Sequence, residues 1–398
     1  ILFALLTVAI VSLHSYHFQG RAYRQDEAWI VHGALHLHST QQVVQWVAVN
    51  IHPPLWVALA DIWVDAFGQL EPMARGLSSL LTAVTLALVF RLGSDLFGYG
   101  VGLAAVFLLG ASPFFQFYGH EFRPYAALAL CAVGLQWSFL RWLRQPTFRR
   151  ALLFVGFGIA AIYVHFFAFY VLAALAIFFP VFVRWSPRLY LRAFGLFLLI
   201  ALSYLGWLLP LAHAVLVTNP GGIEYALETS WELLGRLYAR MAFRPHEVGA
   251  FLFLTALLLP VSAWAAARHF PADNRFRLRR DWRRWYALGI PAVVLALALL
   301  INLAVSNLTQ RSLMVLLPSL AVFLGYGMMR LPLAARLALV VVILPVTFGF
   351  VDFEITGPQA EVGQYISDFY EEGSPIIMNV PNAPRQIALN YYIQERMD

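Results

Sequence analysis

The sequence predicts an all-α polytopic membrane protein of about eleven transmembrane helices, with interfacial helices on its outer surface and the start of a small extracytoplasmic α/β domain. Three observations predict this fold class. The chain of 398 residues is 61% hydrophobic and only 12% charged, whereas a soluble globular domain carries about 25% charged residues. Apolar runs of about 20 residues, long enough to span a bilayer, recur along the chain. Its arginines concentrate on alternate loops, as in membrane proteins of defined orientation.

Windows of spanning length identify the candidate transmembrane helices. They lie near residues 1–13, 76–97, 100–118, 124–144, 150–164, 166–184, 190–211, 247–268, 286–306, 311–329 and 333–352. Residues 54–70 are not counted, since Asp61 and Asp65 interrupt the apolar run, and we expect an interfacial helix there. Because Ile1 lies inside an apolar stretch and the tail stops at Asp398 within a domain, we expect residues to be missing at both ends.

The distribution of charge sets the predicted orientation. With the N-terminus inside, the inner loops receive 17 of the 27 basic residues, all of them arginine, and three of the 21 acidic residues. Counting 54–70 as a span would place the arginine-rich loop 268–284 outside. We interpret that loop as a topology determinant on anionic lipid. Nucleic-acid or partner binding is the alternative, and the charge distribution favours membrane lipids over nucleic acid.

The chain divides into a membrane domain and a partial outer domain. Residues 1–352 form the predicted transmembrane domain, which contains two large outer loops at 14–75 and 212–246. Residues 353–398 show a helix, strand and helix pattern, which predicts the beginning of an extracytoplasmic α/β domain. The single cysteine, Cys131, excludes a disulfide framework and a cysteine-based metal site.

Two adjacent carboxylates, Asp26 and Glu27, open the first outer loop close to the bilayer. Charge kept near hydrocarbon is costly, so such carboxylates are functional candidates, and partial burial suits a general base. The alternative is a solvated charge cluster at the membrane edge. His52 precedes two prolines that fix the chain direction, which is also a pattern of helix N-termini.

Two arginines lie at outer turns where an anion could bind. Arg123 precedes a predicted helix whose first N–H groups are free, which indicates a phosphate anchor. Its alternative is a surface pair with Glu121 or an interfacial arginine. Arg311 is the only charge in the turn 307–312 and is either a second phosphate contact or an interfacial anchor.

The histidines leave further alternatives open. His32 and His36 lie one helical turn apart with His38 nearby, so a zinc site is open, although no carboxylate or cysteine completes it and surface histidines are favoured. His165, between the fifth and sixth spans, either faces the outer cavity or packs at the interface.

Several short motifs follow one another along nearly the whole chain. In chain order they are Asp26-Glu27-Ala28, His52-Pro53-Pro54-Leu55, Phe67-Gly68 with Arg75 and Leu77, Phe97-Gly98, Ser112-Pro113, Arg123-Pro124-Tyr125-Ala126-Ala127-Leu128, and Gln310-Arg311-Ser312-Leu313 before Leu317-Pro318. Together they resemble the GT-C-fold integral membrane glycosyltransferases, in the protein-mannosyltransferase-like and aminoarabinose-transferase-like branch.

The resemblance implies a multi-pass enzyme of a bacterial inner or plasma membrane. Such an enzyme moves a sugar from a polyprenyl-phosphate-linked donor to a hydroxyl of a protein, lipid or glycan acceptor, with inversion, on the extracytoplasmic face. Asp26 would be the general base and Glu27 its catalytic neighbour. The implied substrate and phosphate contacts are His52, Arg123, Tyr125 and Arg311. No cofactor is implied with certainty, and a divalent metal is left open.

The chain departs from the family pattern at two of these positions. Relatives often have lysine where His52 stands and tyrosine where Ser312 stands, so the implied grip on phosphate is altered. A catalytically inactive GT-C-like structural subunit of a larger membrane complex is the alternative function. A transporter is a third interpretation, but it would need polar residues at mid-membrane depth, and the acidic residues here lie mostly at helix ends or in loops.

Overall fold

The protein is an assembly of packed helices. The computed structural model describes residues 5–10, 12, 23–36, 42–43, 46–47, 53–213, 259–264, 282–304 and 309–349. Its helices are α1 (Gln25–His36), α2 (Leu55–Phe67), α3 (Glu71–Phe97), α4 (Tyr99–Gly110), α5 (Pro113–His120), α6 (Tyr125–Arg144), α7 (Phe148–Val164), α8 (Ala168–Phe182), α9 (Pro187–Ser203), α10 (Leu205–His213), α11 (Ile290–Ala304), α12 (Leu317–Met328) and α13 (Leu333–Gly349). Shorter helical segments are Trp282–Arg284, the π-helix Trp285–Gly289 and the 3₁₀-helix Gln310–Val315.

Several of these helices have the length and composition of membrane spans. In the described part of the chain, three segments are long and apolar enough to cross a bilayer: Glu71–Phe97, Tyr125–Arg144 and Pro187–His213. A fourth is added if the bent pair α4 and α5 forms one span. The prediction of an all-α protein with several apolar helices is confirmed for the described residues. The count of about eleven spans stays a prediction, as does the α/β domain at 353–398, which lies outside the described residues.

The predicted span 100–118 is divided into two helices that meet at 71°. The division falls at Ser112, whose backbone is extended and whose hydroxyl accepts the Phe115 N–H at 3.3 Å. Pro113 enforces this, because proline disfavours helical geometry in the residue before it and is tolerated in the first turn of a new helix. The bend leads the chain into the turn that carries Glu121 and Arg123.

Two glycines terminate helices where the backbone takes a conformation that side chains disfavour. Gly68 ends α2 with φ of 91°, and Gly98 separates α3 from α4 with φ of 101°. Only glycine adopts these positive angles without strain, which accounts for the two Phe-Gly motifs.

Small residues bring α3, α4 and α12 into close contact. A Cβ added at Gly93 would lie 3.0 Å from the Gly102 Cα, and one at Gly325 would lie 2.8 Å from the Ala105 backbone nitrogen. Such approach of backbones is how helices associate where lipid, rather than water, surrounds them. These contacts hold α12, and with it the Gln310–Val315 segment, against the helices that carry the first outer loop.

Helix α2 packs over the first part of the predicted outer loop. It packs on α1 and α3 and buries Trp56, Val57 and Ala60. Its placement at the membrane interface stays a prediction. The second predicted outer loop, from residue 214 to 246, lies outside the described residues.

Charged residues gather at both ends of the long helices. At one end, Arg144 donates to the Asp95 carbonyl oxygen at 2.5 Å, and the Trp137 indole donates to the Asp95 carboxylate at 3.0 Å. The Arg144 guanidinium also lies 5.7 Å from the Trp282 ring. At the other end, about 30 Å away along α3, Arg75 lies among the acidic residues of the first loop. The structure thus separates Arg144, one of the predicted inner arginines, from the predicted site.

Candidate active site

The carboxylate of Glu27 is the most enclosed charge of the site. Glu27 is 1% exposed and is held by Arg75, which is also buried. The Arg75 Nε donates to one carboxylate oxygen at 2.9 Å and its Nη2 donates to the other at 2.7 Å. This two-pronged geometry is the strongest arrangement available to an arginine and a carboxylate.

Two backbone groups complete the coordination of Glu27. The Arg24 N–H donates to it at 2.9 Å. Arg24 is the residue before α1, so this bond supplies an acceptor for an N–H that the helix itself leaves free. The Phe122 N–H donates to the carboxylate at 2.8 Å. Burial raises the pKa of Glu27, but the Arg75 charge and these donors outweigh burial and lower it. Glu27 therefore stays ionised and joins α1, α3 and the turn after α5.

Asp26 is the neighbour of Glu27 but faces different partners. Its side chain is 37% exposed, and its carboxylate accepts a hydrogen bond from the Arg311 guanidinium. The Arg123 Nη1 donates to the Asp26 backbone oxygen at 3.2 Å. Burial raises the pKa of Asp26, but the charges of Arg123 and Arg311 outweigh it and lower the pKa to about 2. Asp26 is thus an accessible carboxylate held between two arginines.

Glu121 forms a second buried pair beside Asp26. One of its oxygens accepts from Arg24 Nη1 at 2.9 Å, and Arg24 lies 5.1 Å from the Phe117 ring. The other oxygen is buried and has no hydrogen-bond partner among the residues that the structure describes. Burial raises the pKa of Glu121 and outweighs the charge of Arg24. The expected alternative of an Arg123–Glu121 surface pair is therefore wrong: both side chains are buried, and Glu121 pairs with Arg24.

The ionic cluster holds as many acidic as basic residues among those that the structure describes. Its members are Arg24, Arg75, Arg123, Arg311, Asp26, Glu27, Glu121 and Glu71, whose charge acts on Arg75. Asp26, Glu27 and Glu121 each form a salt bridge with a different arginine, so within the described residues Arg123 forms no salt bridge. Arg123 acts on the Asp26 carboxylate by its charge, and its guanidinium binds the Asp26 backbone oxygen.

Aromatic rings support the exposed side of the cluster. The Arg311 guanidinium lies 5.7 Å from the centre of the Tyr125 ring, within the range of a cation–π contact. Tyr125 also contacts Tyr118, with ring centres 5.7 Å apart. Tyr125 is buried, so it holds Arg311 in place from behind.

A small pocket adjoins the cluster on the side of Arg123. Its open volume is about 20 Å³, room for one molecule of the size of water. The residues that line it are Ile30, Pro53, Trp56, Val57, Arg123, Pro124, Val164 and His165. We refer to it as the Trp56 pocket.

The chain is similar to known proteins both in sequence family and in fold. A family model, "Dolichyl-phosphate-mannose-protein mannosyltransferase", matches residues 51–209, which is less than half of the chain. ArnT from Cupriavidus metallidurans bound to undecaprenyl phosphate superposes with a TM-score of 0.63 at 14% identity, over 98% of this chain and 84% of that one. The chain has the GT-C fold.

A second solved structure shares the GT-C fold. The archaeal oligosaccharyltransferase AglB from Archaeoglobus fulgidus, in complex with an inhibitory peptide and a dolichol-phosphate, matches with a TM-score of 0.55 at 13% identity. The match covers 99% of this chain and 59% of that one. The comparison with curated proteins by sequence gives no match. At these identities the likeness shows the fold, and the resemblance inferred from the motifs is confirmed at that level.

The structure brings most of the predicted site residues of this GT-C chain together. Asp26, Glu27, Arg123, Tyr125 and Arg311 lie in one cluster. His52 lies outside the described residues.

Four residues of the site were not predicted from the sequence to be functional. They are Arg24, Trp56, Arg75 and Glu121. Arg75 did carry a signal, because an arginine in the first turns of a long apolar helix requires a partner. The role of Glu121 was hidden, since its partner Arg24 lies 97 residues away in the sequence.

The predicted zinc alternative finds no support among the described side chains. No group of three or more histidine, cysteine or acidic residues there is placed to hold a metal ion. His32 lies on α1, while the side chain of His36 and all of His38 fall outside the described residues.

Proposed function

We propose that the protein is a membrane glycosyltransferase. It transfers a sugar from a polyprenyl-phosphate-linked donor to an acceptor hydroxyl on the extracytoplasmic face, with inversion and with Asp26 as the general base. The observation that carries this proposal is an accessible carboxylate, Asp26, held between Arg123 and Arg311, two arginines that lie at the outer turns of the chain. The fold adds support, because the solved structures of ArnT and AglB hold undecaprenyl phosphate and dolichol-phosphate respectively.

The donor phosphate fits the two arginines beside Asp26. Arg123 has no carboxylate partner among the described residues, and the partly exposed Arg311 has Asp26 as its hydrogen-bond partner. Guanidinium groups bind phosphate oxygens in pairs, so the two arginines are the phosphate contacts of the proposed enzyme. They also stabilise the charge that develops on the phosphate as the sugar leaves.

Arrival of the phosphate changes the state of Asp26. In the ligand-free protein the charges of Arg123 and Arg311 hold Asp26 as a weak base, with a pKa of about 2. A phosphate that takes Arg311 as its partner releases the carboxylate and raises its affinity for a proton. Asp26 becomes a base only when the donor is in place.

The chemical step then follows from the positions of these groups. The acceptor oxygen attacks the anomeric carbon, its proton passes to Asp26, and the bond from that carbon to the phosphate oxygen breaks. The polyprenyl phosphate departs with the bonding electron pair, and a single in-line displacement inverts the anomeric configuration. Because the phosphate is a good leaving group, the protein mainly positions the reactants and stabilises charge.

Glu27 has a positioning role in this scheme. Its carboxylate accepts four hydrogen bonds, from Arg75, Arg24 and Phe122. It fixes the backbone of the neighbouring Asp26 and does not transfer a proton.

The separation of charge along the helices supports the proposed orientation of the site. The predicted inner arginines, including Arg144, lie at the end of α3 opposite to Arg75. The positive-inside rule then assigns the Asp26 end to the extracytoplasmic side of a bacterial membrane. The donor lipid would reach it from the surrounding bilayer.

The test begins with the donor. Mass spectrometry of lipid that copurifies with the protein is expected to identify a polyprenyl-phosphate monosaccharide. Transfer of its labelled sugar by wild-type protein and by Asp26→Asn is then measured. We expect the variant to fold normally and to lose transfer by a factor of about 100 to 10,000. Unchanged cell-surface glycans together with loss of a larger complex would instead support the structural-subunit alternative.

A further inference from the structure

A basic surface lies where α7 and α9 begin. Its exposed arginines are Arg149 in the first turn of α7, and Arg184, Arg188 and Arg192 around the start of α9. The sequence has no acidic residue between Glu121 and Glu224, and none of these four arginines forms a salt bridge with a residue that the structure describes. The surface therefore presents positive charge that the described side chains do not neutralise.

The packing of α7 on α9 brings arginines of both helices to one level. The contacts between the two helices include Phe154 with Phe197, at 5.4 Å between ring centres, and the Tyr163 hydroxyl with the Ser203 carbonyl oxygen, at 2.7 Å. The helices therefore run parallel, in a register that puts Arg149 at about the level of Arg192. Arg188 lies one turn from Arg192 on the same face of α9.

This surface is remote from the candidate active site. The Nη1 of Arg150, the residue after Arg149, donates to the Arg141 carbonyl oxygen at 2.9 Å, and the Arg141 side chain lies 4.0 Å from Asp95. Asp95 is at the end of α3 opposite to Arg75. A ligand on this surface is therefore separate from the proposed sugar donor.

An exposed tryptophan lies among the arginines. Trp185 is 74% exposed, and its ring centre lies 4.6 Å from that of Tyr190. The Tyr190 hydroxyl donates to the Val183 carbonyl oxygen at 3.3 Å, so the indole packs on a ring that is itself held in place. Tryptophan is enriched at the depth of lipid headgroups, where an amphipathic ring is most stable. The arginines on either side of Trp185 are thereby placed at headgroup depth.

An apolar face continues along α9 from these arginines. It consists of Leu191, Phe194, Leu198 and Leu202, which are between 42% and 72% exposed. Their spacing places them on one side of the helix. The rise from Arg188 to Leu202 is about 21 Å, and the hydrocarbon of one leaflet is about 15 Å thick. The face is thus long enough for an acyl chain whose headgroup lies at the arginines.

We propose that this surface binds a phospholipid with an anionic headgroup. We call it the Trp185 surface and define it as Arg149, Arg184, Trp185, Arg188, Leu191 and Arg192. The arginines bind the headgroup, and the apolar face of α9 lies along an acyl chain. A soluble anion would leave that face uncovered, and a zwitterionic lipid would bring no net charge to balance the arginines. The inference does not depend on the proposed function.

The test is native mass spectrometry of the full chain, purified in detergent and titrated with phosphatidylglycerol or with phosphatidylethanolamine of the same acyl chains. We expect phosphatidylglycerol to bind about tenfold more tightly. Arg188→Gln/Arg192→Gln should weaken its binding by about thirtyfold, whereas Arg188→Lys/Arg192→Lys keeps both charges and should retain most of the affinity. Equal affinities of wild-type protein for the two lipids overturn the proposal.

A matched control removes the same charge elsewhere at this end of the helices. Arg91 is exposed on α3, one turn before Asp95, and Arg330 is exposed beside Tyr326, at the end of α12. Helix α9 packs chiefly against α7 and α10, so neither arginine belongs to the Trp185 surface. Arg91→Gln/Arg330→Gln should leave the affinity unchanged. Equal losses in the two glutamine double variants would show a response to net charge alone and overturn the proposal.

The same spectra reveal the other occupants of such a face. A wild-type dimer that dissociates in Arg188→Gln/Arg192→Gln would assign the surface to a second copy of this chain and overturn the lipid proposal. If that double variant fails to fold, Arg149→Gln and Arg192→Gln are measured singly, and each should weaken phosphatidylglycerol binding by about fivefold. Unchanged affinity in both single variants contradicts the proposal.

Discussion

The Arg75 guanidinium binds both oxygens of the Glu27 carboxylate, at 2.9 and 2.7 Å, across 48 residues of sequence. Both side chains are buried. The pair attaches the first outer loop to α3. Both Glu27 oxygens are engaged by Arg75, so this carboxylate is not available to react. Its neighbour, Asp26, remains available.

Removing the charge of Glu27 should destabilise the fold. Glu27→Gln leaves the buried Arg75 without its counter-charge, and breaking a buried pair in this way costs about 3–5 kcal/mol. Unfolding in detergent, followed by circular dichroism, measures the loss. Asp65→Asn removes a carboxylate from an exposed position on α2 and should change stability by less than about 0.5 kcal/mol. A loss for Glu27→Gln as small as that for Asp65→Asn would contradict the structural role.

Removing the charge of Asp26 should strengthen the binding of lipid phosphate while it abolishes transfer. In the ligand-free protein Asp26 competes with the phosphate for Arg311, so Asp26→Asn leaves the arginine available. We expect polyprenyl phosphate to bind about tenfold more tightly to the variant, measured by titration in detergent.

Glu121→Gln is the matched control for that experiment. It removes one nearby negative charge, but Glu121 hydrogen-bonds to Arg24 and not to Arg311. A smaller gain in this variant shows that the Asp26 contact, and not the local charge alone, opposes the phosphate. An Asp26→Asn protein that binds the lipid no better than wild type would refute the competition.

The stability of the protein should depend on Asp26 at low pH. The pKa of Asp26 is lowered from its ordinary value of 3.8 to about 2 in the folded protein. The ionised form is therefore favoured by folding, so its stabilisation is present above about pH 3.8 and is lost as pH falls through about 2. Acid unfolding of Asp26→Asn should lack this component, and identical acid titrations of the two proteins would exclude it.

A methyl group at Gly325 should separate two helices. The added Cβ would lie 2.8 Å from the Ala105 backbone nitrogen, which cannot move as a flexible side chain can. Gly325→Ala should cost about 1–3 kcal/mol of unfolding free energy. Gly195→Ala, in α9, meets nothing within 4 Å and should be neutral or slightly stabilising. Thermal unfolding of both variants gives the comparison, and equal melting temperatures would contradict the close packing.

The positions of most described helices could be predicted from the apolar runs. The predicted span 124–144 is α6 (Tyr125–Arg144), and 150–164 corresponds to α7 (Phe148–Val164). Length and hydropathy suffice for such elements because the bilayer sets both. The division at Ser112 was not predicted, since the run stays apolar across it and only Pro113 marks the bend.

The site was predictable in its members but not in its pairings. Asp26 and Arg311 lie 285 residues apart, and the motifs alone placed both in one site. Which arginine binds which carboxylate depends on the packing of α3, α6 and α12, and helical periodicity carries no information on that. The sequence left an Arg123–Glu121 pair open as an alternative, whereas in the structure Glu121 pairs with Arg24.

The clamp on Glu27 has a mechanical consequence. Four hydrogen bonds hold Glu27, the residue next to Asp26, against α3 and the turn after α5. The position of the Asp26 carboxylate is therefore set by the packed helices. A shift in the tilt of α3 would be transmitted to Asp26 almost undiminished. Bilayer thickness, which governs such tilts, thereby becomes a physical variable that acts on the alignment of the reacting groups.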